Sequence, residues 1–146
     1  MKIKLIKSLA IAFLVSAGFT LQTRGQENKL NQKINASEMM FRISEIEIYP
    51  EHLESYNAIL KEEAAASVKL EPGVISIFPL YQKDKPYIFR ILEIYASREA
   101  YEAHLLTPHF KHYKESTLIM VKSLSLVDMK ALDDNTIDLI FKKMKK

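Results

Sequence analysis

Apolar and polar residues alternate from Phe41 to Tyr49, with a phase change near Glu45. That pattern predicts a strand, bulged or plain, which Pro50 ends. Leu53, Tyr56, Leu60, Ala64 and Val68 then recur at three- and four-residue steps, one apolar stripe along a helix over residues 51–69. Glu51 and Glu54 lie in its first turns, where the helix dipole favours acids. Glu71-Pro72-Gly73 stops it, the glycine giving freedom for a sharp turn. A second strand is expected over Val74–Tyr81, with Pro79 marking an edge position or a bulge. Residues 82–86 read as a polar hairpin loop, and Tyr87–Ala96 as a third strand. Ser97 suits the N-cap of a short helix, Arg98–Leu106. Thr107 caps another that begins at Pro108 and runs toward Ile119. Ser123–Asp128 alternates as a fourth strand, and the tail from Asp133 reads as a loose amphipathic helix or a frayed end.

The resulting order, β-α-β-β-α-β, is the ferredoxin-like α+β pattern. Along the third strand Tyr87, Phe89, Ile91 and Tyr95 share one face, while Ile88, Leu92 and Ile94 share the other. In the second, Val74, Phe78 and Leu80 are expected opposite Ile75, Ile77 and Tyr81. Both faces of the sheet are therefore apolar, and two helices cover only one of them. A second copy placed sheet on sheet would cover the other, so a homodimer is expected.

Domain organisation follows from the ends. Lys2, Lys4 and Lys7 precede a mostly apolar run, Leu9–Leu21, and small residues follow at Thr23 and Gly25. This is the layout of a secretory signal peptide over residues 1–25, cut after Gly25 or as early as Gly18. The run is short for a membrane span, which needs ~20 residues, and an uncleaved N-terminal anchor is the alternative, since Arg24 makes the cleavage site imperfect. A polar linker over 26–38, a domain over 39–130 and a tail over 131–146 complete the chain. Four of the 21 basic residues lie in the leader, leaving 17 against 18 acidic ones. The apparent pI of 9.0 thus belongs to the two ends, and nucleic-acid binding, which needs a basic face on the domain, is not expected. Zero cysteines exclude disulfides, thiolate metal sites and a cysteine nucleophile. A secreted or periplasmic location without stable membrane insertion is compatible with all of this.

Candidate chemistry crowds into Tyr87–Tyr113, which holds three of the four histidines and four of the seven tyrosines. Glu93 stands on an apolar strand face, where a carboxylate must be paired or neutralised. It reads either as a base or histidine-orienting group, or as a structural acid paired with Arg42, Arg90 or a backbone donor. His104 follows Ala100 by one turn and faces the sheet, as a proton carrier or as a core histidine satisfied by a hydrogen bond. His109 and His112 share a helix face, but no acid stands at a zinc-site spacing and no metal is expected. His112, between Lys111 and Lys114, reads as solvated surface. Neither a nucleophile elbow nor a phosphate-cradling glycine loop is present.

Arg42 with its strand, Glu71-Pro72-Gly73, and the run Glu93-x-Tyr95-x-Ser97-x-Glu99-Ala100-x3-His104-x2-Thr107-Pro108-His109-Phe110-x2-Tyr113 together resemble the antibiotic biosynthesis monooxygenase domain family, which includes quinol monooxygenases. The resemblance covers about residues 41–127. It implies a dimeric α+β barrel with a pocket between sheet and helices in each subunit. It also implies oxidation of a small quinol-like or phenolic ring by O2 without a bound cofactor. On this reading His104 is the base, Glu93 orients it, and Tyr95 with Phe89, Phe110 and Tyr113 walls the pocket. Arg42 or His109 holds a substrate oxygen. Haem-degrading relatives carry an Asn, a Trp and a haem-ligating His where this chain has Ser44, no Trp and Lys114, so that activity is disfavoured. A non-catalytic ligand-binding module and an isomerase of a small phosphorylated sugar are the alternative outcomes.

Overall fold

The computed structural model describes residues 36–144. The expected signal peptide, and the linker up to residue 35, lie outside the described residues. Four strands form one antiparallel sheet: β1 (Met40–Ile48), β2 (Val74–Gln82), β3 (Lys85–Tyr95) and β4 (Val121–Met129), in the order β2-β3-β1-β4. Between them run α1 (Leu53–Leu70), α2 (Arg98–His104) and α3 (Pro108–Thr117), and α4 (Asp134–Met144) follows the sheet. This is the expected ferredoxin-like order, and the tail is a helix rather than a frayed end. No helix among the described residues is long and apolar enough to cross a membrane.

Strand β1 alternates without interruption: Arg42, Ser44, Ile46 and Ile48 are buried on one face, while Phe41, Ile43, Glu45 and Glu47 take the other. The phase change expected at Glu45 does not exist. It arose from assuming that Arg42 and Ser44 point outward, when both point into the molecule. The irregularities lie elsewhere: β4 slips against β1 at Glu47/Ile48, and β2 slips against β3 at Tyr81/Gln82 beside the hairpin turn and between Val74 and Ser76. The slip between Val74 and Ser76 corrects the faces of β2. Val74 and Ile77 are both buried toward the helices, and Phe78 and Leu80 stand exposed on the opposite side. Pro79 lies in an edge strand, where its missing N–H costs no ladder bond. The hairpin loop is tighter than expected, since Gln82 pairs with Lys85 and only Lys83 and Asp84 turn the chain.

Helix α1 packs on α3 and β2. Its buried face is Tyr56, Leu60, Glu63, Ala64 and Ser67. The stripe thus ends on Ser67, and Val68 is exposed. Ile46, Ile48, Tyr56, Leu60, Val74, Ile77, Phe89, Ile91 and Tyr95 form the core between helices and sheet. Gly73 earns its place by proximity rather than by turn geometry. A Cβ there would lie 2.5 Å from the Ala100 Cβ, and its carbonyl accepts the Ala96 N–H at 2.8 Å. The turn after α1 is thereby pressed onto the start of α2.

Register places residues in rows across the sheet. Asp128, Arg42, Glu93 and Ile77 form one row on the helix-bearing face, and Leu126, Ser44, Ile91 and Pro79 the next. On the opposite face Val127, Ile43, Leu92 and Phe78 make an apolar row through all four strands.

Candidate active site

A cavity of about 660 Å3 lies between the helices and the sheet, within the size range of small-molecule sites. Strands β1 and β3 supply Arg42, Ser44, Ile91, Glu93 and Tyr95. Helix α1 supplies Leu60 and Glu63, and the α2–α3 segment supplies Tyr101, His104, Phe110 and Tyr113. The mouth is ringed by Lys111, Lys114, Leu118, Leu124 and Leu126, all exposed. The interior is largely ring and aliphatic surface with a few polar groups, each of which has a partner.

Glu93 is held by two hydroxyls from its own sheet. Ser44 donates to one carboxylate oxygen, and the Tyr95 hydroxyl donates to the other at 2.8 Å. Burial, and the neighbouring Glu93 charge, push the Tyr95 phenol well above its usual range, so Tyr95 is a standing donor and not a base. Arg42 faces Glu93 across the ladder but closes instead on Asp128 at 2.6 Å. It lies beneath the Tyr101 ring, 4.4 Å from the centroid. Burial works against the charged guanidinium, but Asp128 and Tyr101 outweigh it and raise its pKa.

His104 sits at the end of α2 and is 2 % exposed. Thr107 fixes that end, donating its hydroxyl to the His104 carbonyl at 2.8 Å and accepting the Phe110 N–H at 3.3 Å as the cap of α3. The imidazole packs against Phe110 at 4.7 Å and Tyr95 at 5.6 Å between ring centroids. Its Nδ1 lies 3.0 Å from Glu71 Oε1, and its Nε2 lies 3.7 Å from Glu63 Oε1. The same Glu71 oxygen lies 2.5 Å from His109 Nε2. Glu71 is fixed in turn by its backbone, which donates to the Ser67 carbonyl and accepts from Val74. Partial burial alone would raise the Glu71 carboxyl, but the bonds to His104 and His109 win and hold it below the ordinary carboxylate value. Glu63, 5 % exposed, accepts from Ser67 at 2.8 Å. Burial pushes its carboxyl upward against the pull of Ser67 and His104.

The sequence-based assignments are therefore partly redistributed. Tyr95, Phe110, Tyr113, Arg42, Glu93 and His104 do line one cavity. The acid that orients His104, however, is Glu71 and not Glu93, whose oxygens are engaged by Ser44 and Tyr95. Phe89 is a core residue packed on Tyr56 at 5.0 Å, beneath the cavity rather than in its wall. His109 is bound to Glu71 and does not line the cavity. Glu63, Glu71, Tyr101 and Asp128 were missed. Glu63 was findable, since it falls on the buried stripe of α1 beside Leu60 and Ser67. Glu71 was read as part of a helix stop and of the family motif but given no role, and nothing in its spacing points to histidines 33 and 38 positions away.

Residues 39–116, more than half of the chain, match the family described as antibiotic biosynthesis monooxygenase. A Bacteroides thetaiotaomicron protein provisionally named for that activity is 50% identical, with a TM-score of 0.67 over 68% of this chain and 94% of its own. A Lactobacillus acidophilus protein provisionally named a monooxygenase is 31% identical, with a TM-score of 0.62 over 64% of this chain but only 44% of its own. A Pseudomonas aeruginosa structure, 20% identical with a TM-score of 0.63 over 68% of this chain and 99% of its own, shares the fold. No curated protein matches. The chain belongs to the antibiotic biosynthesis monooxygenase family.

Proposed function

We propose that the protein oxidises a small phenolic or quinol-like ring with O2, without a bound cofactor, as a secreted or periplasmic homodimer. The observation that carries this reading is the meeting of an aromatic-walled cavity with a histidine whose far nitrogen is held by an ionised carboxylate. Glu71 accepts from His104 Nδ1–H, which fixes the tautomer and leaves Nε2 as the proton acceptor. This is how an oriented base is built. A ring between Tyr95, Tyr101, Phe110 and Tyr113 excludes water. Its hydroxyl, placed at Nε2, loses a proton, and the resulting phenolate is electron-rich enough to donate to O2. For a phenol with a free para position the balance is phenol plus O2 giving quinone plus water. One oxygen atom enters the ring, the other leaves as water, and no outside reductant is needed. Arg42 supplies a fixed positive charge at one end of the cavity for a substrate oxygen.

The dimer reading rests on the sheet face away from the helices. Phe78 and Val127, at the two ends of the apolar row, are exposed, and a second sheet is the economical cover.

Oxygen uptake by the purified protein over a panel of quinols and phenols tests the reading, beside His104→Ala. Uptake without added metal or flavin, lost in the variant, supports it. Ring binding without uptake anywhere in the panel replaces it with a binding module.

A further inference from the structure

The proposed oxidation uses Glu71 and His104 as a pair, but with His109 they form a cluster of three donors whose convergence it does not use. Glu71, His104 and His109 come from the end of α1, the end of α2 and the first turn of α3. One oxygen and two imidazole nitrogens converge there, all within 4.8 Å of one another. Exposure rises outward, from 2 % for the His104 side chain to 12 % for Glu71 and 18 % for His109. An ion arriving from solvent therefore meets His109 and Glu71 first, and water can complete its shell on that side.

Two further observations point to a cation. The His104 nitrogen that faces away from the cluster lies 3.7 Å from Glu63 Oε1, and Glu63 is itself fixed by Ser67 at 2.8 Å. At 3.7 Å this is beyond a hydrogen bond, but it places a carboxylate on the side of the second nitrogen, where metal-ligating histidines generally have their outer support. Among the described residues, moreover, neither Glu63 nor Glu71 pairs with a lysine or arginine; their ionic partners are the histidines. Two carboxylates so far out of water favour an added positive charge.

We infer that Glu71 Oε1, His104 Nδ1 and His109 Nε2 form a site for a divalent transition cation of the zinc class, with water as the remaining ligand. Nitrogen-rich mixed donors suit zinc, cobalt or nickel and not calcium or magnesium, which take oxygen shells. Donor atoms around zinc stand roughly 3.4 Å apart at bond lengths of ~2.1 Å. The Glu71–His104 pair, at 3.0 Å, is close to that spacing. The Glu71–His109 pair, at 2.5 Å, must open, and His109 is the most exposed of the three. The ion takes the nitrogens that now carry the two N–H donors, and each neutral imidazole moves its proton to its other ring nitrogen. The His104 proton then stands on Nε2, so the loaded site and the proposed base role exclude each other. The binding test below does not depend on turnover.

The experiment is zinc titration of the purified, untagged, full chain by equilibrium dialysis and calorimetry. One equivalent per chain is expected, at micromolar affinity or better. Cobalt(II) should give visible bands at the same stoichiometry. In His109→Ala, whose fold is checked by circular dichroism, affinity should fall at least tenfold and the cobalt bands should vanish. In His112→Ala both should persist. Absence of stoichiometric binding, or wild-type affinity in His109→Ala, overturns the site.

Discussion

Arg42 and Asp128 close an ion pair at 2.6 Å across the β1–β4 ladder, the arginine side chain 8 % exposed and the aspartate 59 %. The pair is asymmetric. Asp128 is solvated with or without its partner, whereas Arg42 without Asp128 is a buried cation facing Glu93 across the other ladder. Asp128→Asn should therefore cost about 1–3 kcal/mol in denaturant unfolding, the range for a charged group losing a strong hydrogen bond. The freed guanidinium should turn to Glu93 and draw it from Ser44 and Tyr95. Arg42→Met, which removes the buried charge itself, should cost less than Asp128→Asn. The reverse order would mean that the arginine contributes mainly through its packing under Tyr101.

Gly73 and Ala100 are too close for a second methyl group. Gly73→Ala places a Cβ 2.5 Å from the Ala100 Cβ, and neither atom ends a flexible chain that can swing aside. A loss of about 1–3 kcal/mol is expected from overpacking. Adding Ala100→Gly should relieve the clash while adding up to ~1 kcal/mol for glycine in a helix. The double variant should thus be less destabilised than the sum of the singles, as thermal unfolding of all three would show.

How far the sequence reaches is clear from this part of the chain. The helix caps Ser97 and Thr107 were legible because capping is local chemistry: a hydroxyl reaches an N–H three residues on. The fold followed from periodicity, and Glu93 stood out as an acid in an apolar run. Partners were not legible, because they are set by packing. Glu93 was matched with His104, yet the residue two positions on and a serine from the next strand occupy it. Glu71 reaches His104 only because the glycine turn docks on α2. The inward Arg42 and Ser44 misled the reading of β1 for a related reason: a polar residue is assigned outward by default, and at a functional cavity that default fails.

Tyr56 and Tyr113 share a hydroxyl–hydroxyl hydrogen bond of 2.9 Å. Burial pushes the Tyr56 phenol up to about 12, and burial with the neighbouring Tyr56 pushes Tyr113 upward as well. A phenol whose folded pKa exceeds its unfolded value near 10 stabilises the fold fully below that pH. The contribution is lost as pH rises through the folded pKa, because the unfolded chain gives up the proton first. Stability should therefore fall as pH climbs from about 10 toward 12, and Tyr56→Phe should flatten the slope. Chemical denaturation at stepped alkaline pH measures this, and an unchanged slope in the variant would remove Tyr56 from the account.

The apolar row Val127–Ile43–Leu92–Phe78 crosses the helix-free face. Phe78 is 55% exposed, so Phe78→Glu should alter a monomer's stability by no more than ~0.5 kcal/mol. In a sheet-on-sheet dimer it buries a charge in the interface. Sedimentation should show the wild type as a dimer and the variant shifted toward monomer at the same concentration. An unshifted dimer would place the contact elsewhere on the molecule.

Glu93 and His104 occupy the same cavity but separate hydrogen-bond networks, and that separation can be read in kinetics. A base that takes the substrate proton contributes typically 10²–10⁴-fold. His104→Ala should therefore lower kcat by about that range while ring binding survives. Glu93→Gln keeps an acceptor for Ser44 or Tyr95 and leaves the Glu71–His104 pair untouched, so kcat should fall less than about tenfold, the smaller effect of a group that only positions the cavity wall. Tyr95→Phe provides the control: it leaves one Glu93 oxygen without its 2.8 Å donor and should cost roughly 1–3 kcal/mol in stability. If Glu93→Gln instead loses as much kcat as His104→Ala at near-normal stability, the proton passes through Glu93, and the base sits on the sheet rather than at the end of α2.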